Sequence, residues 1–342
     1  MATQRDTKPV VFASLGSLII DDIRYQDGTE KRDILGGAGI YAIYGMRVWC
    51  NGPQESKKIG YISQEGFDHP KQISDQLESL DISLIHRVHM DQHTTRGLNI
   101  FQSDDQRDFE YIHPIIRTTA DDPPEDWVPT LKAIHIISSP ERAIEIVTRW
   151  REREATNKVT QACSFIWEPV PWSCRAERLD LVCQAAGMVD ILTPNHGEAA
   201  CLLGAPTAND KEDVEVVAKR IRELLNGKDT TVIIRSGKLG ALVAAKDGQH
   251  TWVPAYHTSN SRVRDVTGAG NAFCGGLCVG WVESNKDPVM ACVYGSVSAS
   301  FAVEQVGLPT CNRDGNYQEI WNHGPSTVER LEELKERLEP KA

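Results

Sequence analysis

The chain has 342 residues, 40% of them hydrophobic and 25% charged, with a formal net charge of −11. That length suits one large domain with a small appendage. The negative surface argues against nucleic acid as a partner, yet it leaves room for an anion held locally by backbone N–H groups.

VVFASLGSLII (10–20) is a continuous apolar run rich in β-branched residues and predicts one buried strand. DDIRYQDGTEKRDI (21–34) is polar around a DG turn and predicts a short hairpin off the main body. GGAGIYAIYGMRVW (36–49) reads as a glycine-opened helix, KKIGYIS (57–63) as a strand and PKQISDQLESL (70–80) as an amphipathic helix. In RGLNIFQSDDQRDFEYIHPI (96–115) two alternating segments flank SDDQ, a second hairpin that joins the first in a small sheet. Strands are predicted at 133–138, 164–170, 190–195 and 230–237, with helices at 140–154, 175–189, 197–204 and 213–226 between them. This alternation predicts a parallel sheet with crossover helices. ALVAAKDGQHTWVPA (241–255) reads as a strand pair about a DG turn, followed by helices at 268–283 and 288–306. VERLEELKERLE then makes residues 313–342 a tail with a charged surface helix.

No stretch reaches the ~20 apolar residues of a membrane span, and no apolar segment of signal-peptide length precedes the first strand. No membrane partner and a cytoplasmic location are therefore expected. The nine cysteines are scattered without a CxxC pair, which reads as reduced thiols rather than disulfides or a zinc site.

The segment with most chemical content is DVTGAGNAFCGG (265–276). Gly268 and Gly270 permit close backbone approach, and the turn runs straight into a helix whose free N–H groups and dipole favour an anion. A tightly packed helix start that binds nothing has the same local pattern.

The wider pattern resembles the second signature of the PfkB (ribokinase-like) family of sugar and nucleoside kinases, D-x-T-G-A-G-D-x-F-x-G-G. Asp265, Thr267, Gly268, Ala269, Gly270, Phe273, Gly275 and Gly276 match, and Asn271 stands where the family has its catalytic Asp. Other motifs follow in the family's order. GSLIID (16–21) resembles the first-strand motif ending in a substrate-binding Asp, here Asp21, and GGAG resembles the Gly-Gly motif, here Gly36 and Gly37. NHGE resembles the N-x-x-E pair that organises Mg2+ and phosphate, here Asn195 and Glu198. RSGKLGA resembles the nucleotide-contacting turn, here Gly237 and Gly240 after Arg235, and SFAVEQVGLP (300–309) resembles the segment bordering the nucleotide and monovalent-cation sites. WEPVP (167–171) together with Asn271 is similar to the fungal killer-virus maintenance branch.

The resemblance implies a ribokinase-like α/β/α three-layer sandwich over 8–312, with a mainly parallel central sheet. It also implies a small β lid from about 18–35 and 95–115, ATP and Mg2+ as cofactors, a small-molecule substrate, and a monomer or homodimer. It places Gly268, Ala269, Gly270 and Asn271 at the transferring phosphate, Asp265 and Thr267 with the nucleotide, and Tyr41 where sugar kinases carry a hydroxyl-binding Asn. Arg235 either pairs with a phosphate or caps its strand at the surface. Asn195 and Glu198 taken alone read equally well as a helix cap with Glu in the first turn. Trp167 and Trp172 either stack on a substrate ring or pack, and His196 reads as a loop histidine. An amide cannot accept a proton at neutral pH, and loss of a general base lowers a rate by about 10²–10⁴-fold. The expectation is thus a weakened phosphotransferase, in which Asn271→Asp raises turnover, or a pseudokinase that binds without transfer.

Overall fold

A computed structural model describes residues 8–101, 107–313 and 318–338. The main sheet contains β1 (Phe12–Ser14), β4 (Ile59–Gly66), β5 (Ser83–His89), β8 (Ala133–Ser138), β9 (Ser164–Pro169), β10 (Ile191–Leu192), β11 (Thr231–Arg235), β12 (Ala241–Ala244) and β13 (His250–Val253). Its order is β13-β12-β11-β10-β9-β8-β1-β4-β5. All neighbours from β11 to β5 pair in parallel, and only the β11–β12 and β12–β13 pairings, at one edge, are antiparallel.

Helices α1 (Ala38–Arg47), α2 (Lys71–Glu78), α7 (Ala269–Glu283), α8 (Pro288–Val303) and α9 (Thr327–Glu336) share one apolar core. Helices α3 (Pro140–Thr156), α4 (Leu179–Ala186), α5 (His196–Leu202) and α6 (Lys211–Leu224) share the other. The result is a three-layer sandwich, as the alternation of strand and helix predicts. A separate four-stranded sheet, ordered β3-β2-β6-β7, is built from β2 (Ile19–Arg24), β3 (Glu30–Gly36), β6 (Arg96–Phe101) and β7 (Arg107–Tyr111). The SDDQ turn between β6 and β7 lies outside the described residues.

The apolar run 10–20 is not one strand. Its first part belongs to the main sheet and its last residues to the small sheet, with a break at Gly16, whose backbone packs directly on Gly39. Both halves are buried, so hydrophobicity carries no sign of the break. β5 was not expected either. It is an edge strand, SLIHRVH, whose His86, Arg87 and Val88 are consecutive and exposed, so it carries no apolar alternation.

The tail is docked rather than free on the surface. Arg330, Leu331 and Leu334 of α9 are buried, and Arg330 meets Ser300 of α8 at 2.7 Å. Before α9, β14 (Cys311–Arg313) and β15 (Glu319–Trp321) form a small ladder, and Glu319 makes a buried two-point ion pair with Arg47 of α1.

α7 is anchored by glycine. A Cβ on Gly275 would overlap the Ala42 carbonyl, and one on Gly45 would overlap the Ala272 carbonyl, so α1 and α7 touch backbone to backbone. Gly275→Ala is expected to lower stability by about 1–3 kcal/mol through overpacking, read as a lower urea midpoint with unchanged slope. Among the described residues no helix is long and apolar enough to cross a membrane.

Candidate active site at the start of α7

Gly268 caps α7 in the left-handed region at φ 74°, and a Cβ there would overlap the ring of Tyr41. Both facts require glycine. Asp265 Oδ1 accepts the Thr267 N–H at 2.9 Å, so these two residues, expected at the nucleotide, shape the turn before the helix. The early N–H groups of a helix have no partner within it. Those of Gly270 and Asn271 therefore form an anion cradle at the wall of a cavity of about 590 Å³.

The cavity is also lined by Asn195 and His196, by the turn from Arg235 to Gly240, and by Val263, Val266, Ala299 and Val303. The turn is tight: Ser236 N–H reaches Gly240 O at 2.7 Å, and Gly237 and Gly240 hold φ of 53° and 99°. Gly237, Gly240, Arg235, Ala269, Gly270 and Asn271 thus line one cavity.

Behind the cradle lies a buried polar cluster. Asn271 Nδ2 donates to Glu168 Oε2 at 2.8 Å, and His135 Nε2 is 3.4 Å from the same oxygen. His135 Nδ1 in turn meets Ser14 Oγ at 3.0 Å. A carboxylate only accepts, so Glu168 fixes the amide orientation and leaves Asn271 Oδ1 free to turn elsewhere. Arg235 Nη2 lies 2.8 Å from Glu168 Oε1, an ion-pair contact rather than an aligned hydrogen bond, while its Nε donates to Thr193 O at 3.2 Å. Burial alone pushes the Glu168 carboxyl up, but Arg235, His135 and Asn271 more than offset this and hold it at about 2.

Arg235 is therefore neither a surface cap nor exposed: it is 9% accessible, and its Nη1 fills the space that a Cβ on Gly270 would take. Glu168 was not singled out from the sequence. The available signal was a carboxylate inside the otherwise apolar strand SFIWEPV, since an unpaired buried charge is costly.

Asn195 and Glu198 form a reciprocal capping box at the start of α5. Asn195 Oδ1 accepts Glu198 N–H, and Glu198 Oε2 accepts Asn195 N–H, both at 2.8 Å. Burial raises the Glu198 carboxyl above its usual range. One Arg235 nitrogen, Nη2, stands 2.8 Å from Glu168 Oε1 and 3.6 Å from Glu198 Oε2. A cation already stands beside both carboxylates, and this donor set does not fit a directly held Mg2+.

A second polar group sits where the small sheet joins α1. Asp21 Oδ1 accepts from Asn99 Nδ2 at 3.0 Å, and Asp21 Oδ2 lies over Gly36, where a Cβ would overlap it. Gly37 caps α1 at φ 97°. Asn99, buried on β6, was missed in the sequence; its inward place in an alternating strand was the signal. Asp22, next to Asp21, pairs with Arg96 at 2.8 Å within the small sheet. Tyr41 is buried with its ring under Gly268. Trp167 is core, its Nε1 donating to Ser138 O at 3.2 Å, whereas Trp172 is exposed. His196 lines the cavity with Nδ1 3.4 Å from the Arg235 carbonyl.

A parallel-sheet sandwich with a glycine-built anion cradle and a small separate sheet is a ribokinase-like fold. The chain belongs to the pfkB carbohydrate kinase family, whose family model matches residues 12–314. An uncharacterized protein of Schizosaccharomyces pombe is 31% identical over 97% of this chain and 94% of its own length. Protein MAK32 of Saccharomyces cerevisiae is 29% identical over 95% of this chain and 92% of its own. These relatives agree with the fungal branch that the motifs resemble. A structure of Arabidopsis thaliana ribokinase complexed with ribose and ATP shares the fold, with a TM-score of 0.64 at 18% identity over 96% of this chain and 99% of that one.

Proposed function

We propose that the protein is an ATP-dependent phosphotransferase acting on a hydroxyl of a sugar-like or nucleoside-like small molecule. The observation that carries this reading is the α7 cradle opening on a cavity of about 590 Å³ that also holds the Arg235–Gly240 turn. The apolar wall of Val263, Val266, Ala299 and Val303 suits a flat base, and the cradle of Gly268, Ala269, Gly270 and Asn271 suits the transferring phosphoryl group. Asp21, Gly36 and Gly37, with Asn99 behind Asp21, hold the substrate.

In the reaction the acceptor oxygen forms a bond to the terminal phosphorus as the bond to ADP breaks, and the hydroxyl proton leaves to solvent. Asn271 Oδ1 accepts the hydrogen bond of the attacking hydroxyl and orients it without taking the proton. A loose transition state tolerates this, because the hydroxyl keeps its proton until late. Asn195 and Glu198 shape the start of α5, and no step is routed through a metal on them. A monovalent cation beside 300–309 and a monomer or homodimer belong to the same reading. The nine cysteines are all free, most of them buried, which supports a reducing, cytoplasmic setting.

One observation favours a pseudokinase instead: the Asn271 amide is tied at 2.8 Å to a carboxylate held at about 2, so neither group is a good base. Calorimetric titration with ATP and an ADP-release assay over a panel of polyols and nucleosides decides between them. Turnover of any hydroxyl compound supports the transferase, and binding without turnover supports the pseudokinase. Failure to bind ATP removes both.

A further inference from the structure

We infer that Arg235 is the resident cation of the phosphate site, so that the protein binds a nucleoside triphosphate without a divalent metal. This deepens the reading that the cavity takes ATP, and rests on it. Three observations carry it. First, position: Arg235 ends β11, lines the cavity, and sets Nη1 against Gly270, the residue whose N–H opens the cradle. Second, preorganisation: Nε is tied to Thr193 O at 3.2 Å and Nη2 to Glu168 at 2.8 Å. Both groups of that edge are engaged by the protein, so Nη1 is aimed at the cradle before any ligand arrives, and a charged N–H so held suits one phosphate oxygen. Third, charge: Nη2 stands 2.8 Å from Glu168 and 3.6 Å from Glu198, so the two buried carboxylates beside the cavity already have a cation as their counter-ion.

A fixed cation and a helix N-terminus together neutralise charge on a bound phosphate, the work otherwise left to a soluble metal. Glu168 then acts as the rear support that keeps the guanidinium charged and oriented. Lys238, in the same turn, also lines the cavity but is exposed, and so is a weaker rival for this role.

The test is calorimetric titration of the full chain with ATP, once with Mg2+ in excess and once in EDTA. The two dissociation constants are expected to agree within about threefold. Arg235→Met is expected to weaken binding in EDTA by at least about tenfold, the value of one lost charge-assisted hydrogen bond. That variant leaves Glu168 buried without its partner, so the double variant Arg235→Met/Glu168→Gln, neutral at both positions, is measured beside it. The thermal transition of the double variant reports whether the fold is kept. The inference is overturned if wild-type binding is present with Mg2+ and lost in EDTA. It is equally overturned if the folded double variant binds ATP in EDTA as tightly as wild type. Absence of binding in both buffers sinks the ATP reading itself, and this inference with it.

Discussion

Asn271→Asp alone is expected to destabilise the protein and to leave turnover no higher than wild type. This reverses the expectation from the motif, in which restoring the family's Asp restores the base. The reason is Glu168, whose Oε2 accepts the Asn271 amide at 2.8 Å inside a buried cluster. A carboxylate at position 271 would face another at that distance, and two carboxylates so close cannot both ionise. Either one takes a proton, which disarms the new base, or the side chain turns away from the cradle. Loss of the hydrogen bond with a like-charge contact in its place should cost about 3 kcal/mol.

Exchanging both groups, Asn271→Asp with Glu168→Gln, restores a donor facing an acceptor and leaves the carboxylate on the α7 side. It also keeps one negative charge near Arg235. The double variant should recover most of the stability and, under the transferase reading, exceed wild-type turnover by about 10²-fold. Urea denaturation and ADP release measure the two effects, and the coupling between the sites is the quantity of interest. Independent, additive effects at 168 and 271 would sever the link drawn between them.

That link explains what the sequence could and could not disclose. The cradle was legible because its requirements are local: Gly268 needs a left-handed φ and room for Tyr41, and the next residues begin a helix. The parallel sheet was legible because strand and helix periods alternate from 133 to 237. The partner of Asn271 was not legible, since Glu168 stands 103 positions away and only the packing of β9 against α7 unites them. Arg235 was singled out, but its two alternatives differed only in burial, which a five-residue strand end does not encode. The break at Gly16 was hidden because both sides of it are buried. The docking of α9 was hidden because its charged face includes Arg330, a cation that turns inward to Glu304 and Ser300. For Glu168, Arg235 and α9 the missing information is a long-range pairing of a charged group.

Glu168 is therefore the residue whose loss should be felt most widely. Glu168→Gln keeps volume and one acceptor but removes the charge that faces Arg235 at 2.8 Å and His135 at 3.4 Å. A buried guanidinium that loses its nearer counter-ion, with Glu198 left at 3.6 Å, should cost up to about 3–5 kcal/mol, so at neutral pH the variant should show a clear fall in the urea midpoint. The pH dependence gives an independent reading. The folded-state carboxyl is held at about 2, below the ordinary 4.5. A depressed carboxyl stabilises the fold above its unfolded value, and that contribution disappears as pH falls from about 4.5 towards 2. Wild type should therefore lose stability through that window, while Glu168→Gln, having nothing to protonate there, should show a shallower slope and approach wild type at the acid end. Parallel slopes for the two proteins would mean that the buried cation is balanced elsewhere, and that Glu168 does not hold Arg235 at the cradle.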